Sequence, residues 1–384
     1  MKKNKRANFH YALIHALFWT TYCTGTGYLS SCLLSIGYDN GQVGIVIAIC
    51  GLASAWLQSF LSGKIDKSGK RLLKPVIFFS ITTAMILSAL ELIFPESMPV
   101  IGICYGFNIV VLMFTVPLIS SMSVCSGAGP VNFGLGRAIG SLVYACGAIV
   151  VGRLVAGFGM PVLCIFRIVG YAAFLLAAMT FPIKTLPLQE KTKKDEGFFK
   201  RNPGFKTLMV GCVLAYFCQT LTSYFGYQII ASKGGDNAAL GISMGLAAFI
   251  EVPVMLGFVW LLKYKSAAFW FVLSGFGYAA KAFAFYLAPN VPMYFLAQIS
   301  QLIGWPLMQV ASVKYVSSIT KDEDTTRGQA YITLTYSISM VAGSPIGGFV
   351  IQNSGVPAML LIAMLSALLS GVFIFAGIKK RKMS

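Results

Sequence analysis

The chain is a succession of apolar runs, each about twenty residues long and closed by glycine, proline or a knot of basic residues. About twenty apolar residues is the length an α-helix needs to cross the hydrocarbon of a bilayer. Twelve such segments can be marked, at 11–36, 41–62, 72–94, 99–125, 132–157, 161–183, 205–231, 237–262, 266–287, 291–314, 327–352 and 356–378. A chain of 384 residues could form two or three soluble domains, but 57% of these are apolar and 11% charged. Twelve acidic residues leave most of the chain without a solvated carboxylate face, and the mean hydropathy is +0.76. A water-soluble fold is excluded.

The basic residues orient the segments. With the N-terminus inside, 25 of the 30 lysines and arginines fall on the two tails and on the inner connectors, and the outer loops carry only Lys233. Arg137, Arg153, Arg167 and Lys281 lie within segments. This is the bias that cytoplasmic loops show. It implies an even number of crossings, both termini cytoplasmic, and a bacterial cytoplasmic (inner) membrane. The excess of 18 positive charges sits in short clusters between apolar runs rather than in one stripe, so no nucleic acid partner is expected. The longest polar stretch, 184–206, leaves six segments on either side. The expected architecture is therefore an all-α membrane protein with twelve transmembrane helices in two pseudo-symmetric six-helix bundles. The bundles span 1–183 and 205–384, with 184–204 as a cytoplasmic linker.

Nine cysteines lie mostly within apolar segments with no C-x-x-C pair, and His10 and His15 are the only histidines. These residues give no disulfide framework and little material for a metal site or a Ser-His-Asp arrangement. No nucleophile-base pair or phosphate loop appears either, so neither an enzyme nor a cofactor is expected.

Charges inside the bilayer are costly and mark function by default. Arg153 and Arg167 are placed toward the outer ends of their segments, where a long stem snorkels or the charge takes a structural partner, and Glu91, near the outer end of its segment, is expected to be wet. Arg137, Glu251 and Lys281 remain. Glu251 is the one carboxylate at mid-depth; a static ion pair locking helices is its competing reading. Pro253, two residues on, is expected to kink that helix. In GLGRAIGSLVYACGA, Arg137, Ser141 and Tyr144 stand at i, i+4 and i+7, one helical face. A guanidinium fork and a phenol ring on one face suit a polyhydroxylated ligand. The neighbouring glycines, Gly134, Gly136, Gly140 and Gly147, read as close helix packing.

The loop S-G-K-I-D-K-S-G-K-R at 62–71 resembles the helix 2 to 3 signature of the major facilitator superfamily, with Gly63, Asp66, Gly69 and Arg71 in the places of a cytoplasmic gating loop. The leading glycine of that signature is replaced by Ser62. The resemblance extends to the lactose permease branch, the oligosaccharide:proton symporters. Asn132-Phe133 with Gly136-Arg137-Ala138 resembles that branch's helix 5 motif, whose arginine contacts sugar and whose aromatic seven residues later stacks on it. Tyr144 stands at that aromatic position. Glu251 falls at the branch's sugar-binding glutamate, Lys281 at a helix 9 arginine, and Gln301 to Pro306 along its helix 10 segment. Gln301 and Gly304 replace a histidine and the proton-carrying glutamate, and Ser120 and Ser121 occupy the neighbourhood of a helix 4 acid. The 327–348 region also resembles the wider permease-like group of nucleoside and aromatic acid carriers.

Together these readings imply a monomeric secondary transporter of a small polar solute, first a sugar or glycoside, working by alternating access with proton symport. The substrate would be held by Arg137, Tyr144, Glu251, Gln219, Gln301 and Ser141, with Glu251 and Lys281 handling the proton. An uncoupled facilitator or an exporter of a nucleoside, aromatic acid or drug-like compound is the nearest alternative. A non-transporting membrane sensor on the same fold is another.

Overall fold

The structure, a computed structural model, describes residues 2–129, 131–185 and 197–382. Most of the expected linker, 186–196, lies outside the described residues. Among the described residues the regular elements are helices, and β pairing is confined to an isolated bridge between Ser126 and Ile183. The long helices are α1 (Lys2–Thr26), α2 (Asn40–Lys67), α3 (Leu73–Ile93), α4 (Met98–Val124), α5 (Phe133–Phe158), α6 (Pro161–Thr180), α7 (Phe205–Tyr224), α8 (Asn237–Leu261) and α9 (Ala267–Leu287). The tenth, α10, is broken: α-helical over Val291–Ala297, a 3-10 helix over Gln298–Ile303, and α-helical again over Trp305–Ile319. The last run, Asp322–Lys382, consists of two helices meeting at Gly355, whose φ of 78° only glycine adopts readily. We call its parts, 322–354 and 356–382, α11 and α12.

Nine described helices are long and apolar enough to cross a membrane, the α11–α12 run counting once. The remaining two crossings are α1, diluted by its basic head and by His10 and His15, and the interrupted α10. The twelve crossings expected from the sequence are thus present, with altered ends. The first segment does not run from 11 to 36. It starts at Lys2, stops at Thr26, and is followed by a separate short helix, Leu29–Ser35. The expected kink at Pro253 leaves no gap in helical assignment, since α8 runs on to Leu261.

The chain divides into two compact units: Met1–Tyr38, Ile49–Thr192 and Asp236–Ala248 form the first, and Asp39–Ala48, Lys193–Gly235 and Phe249–Ser384 the second. In the first, Tyr11, Ile14 and Phe18 of α1 pack with Ile77 and Ile81 of α3, Leu112 and Phe114 of α4, and Tyr171 and Phe174 of α6. The early turns of α8 join this unit at a pair of glycines. A Cβ on Gly152 would stand 2.9 Å from the Gly241 Cα and 2.9 Å from the Tyr28 hydroxyl, the close backbone approach that small residues permit between membrane helices. In the second unit α7 packs along the α11–α12 pair and against α9. The break in α10 lies against a glycine of the neighbouring helix: a Cβ on Gly277 of α9 would stand 3.0 Å from the Gly304 nitrogen, with the Ile303 carbonyl closer still. Outward-facing residues such as Trp56, Phe79, Leu176, Leu256 and Val259 are exposed, as a lipid-facing surface requires.

One expectation about charge is overturned: Glu91 does not meet water. Arg167 takes a structural partner rather than snorkelling; the two residues are 0% (Arg167) and 2% (Glu91) exposed and form an ion pair through Arg167 Nη2 and Glu91 Oε2. The guanidinium lies 4.2 Å from the centre of the Tyr105 ring. Asn108 Nδ2 donates to Glu91 Oε1 at 3.0 Å and the Tyr171 hydroxyl donates to Asn108 Oδ1 at 3.1 Å. Depth along a helix says nothing of which face a side chain takes, and here both face inward, into a polar knot that ties α3, α4 and α6 together. Arg153 is exposed, in keeping with a snorkelling stem.

Candidate solute-binding site

Each unit brings together polar residues that the sequence singles out; in the first this group is separate from the Glu91–Arg167 knot. In the first unit, Asn132 caps α5, its side chain accepting from the Leu135 N–H at 3.0 Å and satisfying one of the orphan donors at a helix start. Arg137 follows four residues into the helix, about 6 Å along its axis. Its Nη1 donates to Ser141 Oγ at 2.6 Å, so the i, i+4 spacing read from the sequence does bring these two together. The guanidinium lies over the ring of Trp19 in α1, 4.1 Å from its centre. Tyr144 meets the same indole edge-on, with centroids 6.4 Å apart.

The tryptophan, not anticipated from the sequence, is thus the surface on which Arg137 rests. Its own Nε1 donates to His15 Nδ1 at 3.3 Å, one turn earlier in α1. The helix 5 glycines make this possible. A Cβ on Gly140 would stand 3.1 Å from Trp19 Cγ and Nε1 and closer still to Cδ1; one on Gly136 would stand 3.0 Å from His15 Cδ2 and the Tyr11 ring. These two glycines are flat ground for the rings of α1. Gly147, by contrast, would meet nothing nearer than 3.5 Å. A legible signal did exist: Tyr11, His15, Trp19 and Tyr22 recur at spacings of 4, 4 and 3 along α1, one helical face. A cavity of about 100 Å³ opens beside this cluster, lined by His15 and Trp19 of α1, Ser120 of α4 and Arg137 of α5 among others.

The second unit holds Glu251, Lys281, Gln219 and Gln301, four residues singled out by the sequence, in two hydrogen-bonded pairs. Gln301 Nε2, on the 3-10 turn of α10, donates to Glu251 Oε1 at 3.2 Å. Lys281 Nζ donates to Gln219 Oε1 at 3.4 Å, and Gln219 Nε2 donates on to Ser223 Oγ at 2.9 Å. Lys281 is 2% exposed and lies 5.5 Å from the centre of the Phe285 ring. Glu251 stands fourteen residues into α8, about 21 Å from its start. The 3-10 turn matters because it swings Gln298 and Gln301 out of α-helical register, and both are buried.

The proposed gating residues occupy the end of α2. The Gly69 N–H donates to the Asp66 carbonyl at 3.1 Å and the Lys70 N–H to the Ile65 carbonyl at 3.0 Å. Gly69 has φ +60°, so together these form a Schellman cap with Gly69 as its left-handed residue. Asp66 pairs with Lys70 at 2.5 Å on an exposed surface. Arg71 is exposed, and its N–H closes the turn onto the Ser68 carbonyl at 3.3 Å. Nothing lies within 4 Å of where a Cβ would sit on Gly63, so packing does not require glycine there.

Known proteins bear on this arrangement. The family model described as "MFS_1 like family" matches residues 9–361. A "Putative sugar efflux transporter" of Deinococcus radiodurans is 30% identical over 158 residues, a match that takes in 40% of this chain and 39% of the relative. Among solved structures, nucleoside transporter NupG superimposes with a TM-score of 0.80 at 16% identity, covering 97% of this chain and 99% of that one. A POT family transporter in complex with a thioalcohol conjugated peptide superimposes with a TM-score of 0.74 at 12% identity, covering 97% and 96%. At such identities these structures speak for the fold alone. The family match runs through α1 to the start of α12, and on that basis this integral membrane protein belongs to the MFS_1-like family of transporters.

Proposed function

We propose that the protein is a secondary carrier that binds one small polar solute, a sugar or glycoside first, through groups of both units and alternates its exposure across the cytoplasmic membrane of a bacterium. Arg137 and Glu251 are the charged clamp, one from each unit. Trp19 joins Tyr144 as the aromatic platform, Ser141 orients Arg137, and Gln219 and Gln301 are neutral hydrogen-bonders. The observation that carries this reading is the Arg137–Trp19 stack with Tyr144 at its edge, because a guanidinium held on an indole sets charged donors next to aromatic surface, which suits a ring that is polar at its rim and apolar on its face.

The carrier works as a monomer with both termini cytoplasmic and rocks one six-helix half against the other. Protons, where they are coupled, travel on Glu251, with Lys281 holding the charge balance. The name of the Deinococcus relative favours a second reading on direction: outward movement of the same class of solute. Reconstituted vesicles test both. Sugar uptake driven by an inward proton gradient, lost in Glu251→Gln while counterflow exchange persists, is the expected result for coupled transport. Full uphill accumulation by Glu251→Gln removes Glu251 from the proton path. Absence of sugar movement in either direction defeats the carrier reading for sugars.

A further inference from the structure

We propose that His15 is a solute-binding residue whose Nε2–H, together with the Arg137 guanidinium, donates to an acceptor oxygen of the solute in the cavity beside Trp19. The inference rests on the carrier reading above and deepens it by naming the chemistry that the first unit takes.

The argument begins with a tautomer. Indole Nε1 can only donate, and it lies 3.3 Å from His15 Nδ1. Nδ1 must then present its lone pair, which leaves the ring proton of the neutral imidazole on Nε2. His15 is 2% exposed and Nε2 has no hydrogen-bond partner. Buried donors without acceptors are rare, and a specific one calls for an explanation. His15 lines the cavity of about 100 Å³ that Arg137 also lines. Since a water takes about 30 Å³ in the liquid, the space suits a small polar group of a larger ligand rather than a whole sugar.

The remaining surroundings fix the sign of that group. Arg137 faces His15 from α5, and Ser120 is the polar side chain from α4. Tyr11, on the histidine's own helix, turns its hydroxyl away to donate to the Ile119 carbonyl at 3.2 Å. Among the described residues, no aspartate or glutamate lines the cavity. Two donors therefore converge on a space without an acid, and the complement is an oxygen with free lone pairs: a hydroxyl or ring oxygen, a carbonyl or a carboxylate. A cationic amine would meet the like charge of Arg137 there. The Trp19 hydrogen bond keeps the histidine in the donating tautomer, so Trp19 acts here as a positioning residue.

The experiment uses the purified full-length protein in detergent. Glucose, uridine and benzoate are the probes, and tetramethylammonium is the control that should not stabilise the protein. The tightest probe is then measured against His15→Asn and His15→Gln. An asparagine amide can replace Nδ1 toward Trp19 but offers no donor at Nε2, whereas a glutamine amide reaches the Nε2 position. We expect His15→Asn to bind roughly tenfold more weakly and His15→Gln to stay within about twofold of the wild type. Normal binding by His15→Asn, or equal weakening in both variants, overturns the inference while leaving the carrier reading intact. A panel in which no probe stabilises the wild type removes the proposed substrate classes and the inference with them. With only two histidines in the chain, 15N-histidine spectra supply a second readout. The expected spectrum has His15 protonated on Nε2, with that signal shifted by the probe. A proton on Nδ1 overturns the inference whatever binds.

Discussion

Removing Glu91 should harm this protein more than removing Arg167, and removing both should harm it least. The structure supplies the reason. Both groups are shut away from water, and Glu91 accepts from Arg167, from Asn108 at 3.0 Å and from Cys164 Sγ at 3.3 Å. In Glu91→Gln the guanidinium stays buried with no counter-charge, and an arginine cannot shed its proton. The cost of breaking a buried pair in this way is about 3 to 5 kcal/mol. In Arg167→Met the stranded carboxylate can take up a proton and become neutral, which limits the loss. Glu91→Leu with Arg167→Met removes both charges and fills the space with apolar atoms. Asn108 then keeps its bonds to the Cys104 carbonyl at 3.0 Å and to Tyr171 at 3.1 Å. Such replacements are often neutral or stabilising. The double variant should therefore unfold near the wild-type temperature in detergent and clearly above Glu91→Gln. A double variant as unstable as the summed losses of Glu91→Gln and Arg167→Met would refute the argument, because it would mean that the two residues do not act as one unit.

Other consequences can be tested together. Gly140→Ala forces a methyl group into Trp19 and should cost about 1 to 3 kcal/mol of stability while weakening solute binding. Gly147→Ala, with ordinary 3.5 Å neighbours, should unfold at or slightly above the wild-type temperature in the same melt. Lys281→Met replaces a buried cation by an apolar chain of similar length, so the melting temperature should hold or rise while vesicle uptake falls; a fall in both would make Lys281 a structural residue. Gly69→Ala places a side chain at φ +60° and should destabilise the end of α2 by about 1 kcal/mol, seen as faster amide exchange there. The exposed Asp66–Lys70 pair adds little to stability, so Asp66→Asn should leave the melting temperature unchanged; transport lost in that variant locates the role of Asp66 in gating.

The fold was legible because a bilayer imposes one length on every crossing, and the basic connectors then give those crossings a direction. The same regularity hid the exceptions. α10 carries Gly304 just before Trp305-Pro306, yet its break lies against Gly277 of another helix, which no local pattern announces. Arg137 and Ser141 were readable as partners because four residues make one turn. Trp19 was marked by its register with Tyr11, His15 and Tyr22, but its pairing with Arg137 was not, since that neighbour lies on another helix. Glu91 was misplaced in water, and the partner of Arg167 left unnamed, for the same reason: depth follows from counting along a helix, but azimuth is set by partners distant in the chain.

That separation has a bearing on how the protein is made. Arg167 follows Glu91 by 76 residues, so a ribosome adding about 5 to 20 residues per second delivers the cation some 4 to 15 s after the anion. Throughout that interval the chain holds an acid whose counter-ion does not yet exist. The amino-terminal bundle can close only after its sixth helix arrives, which makes the order of synthesis part of its assembly pathway.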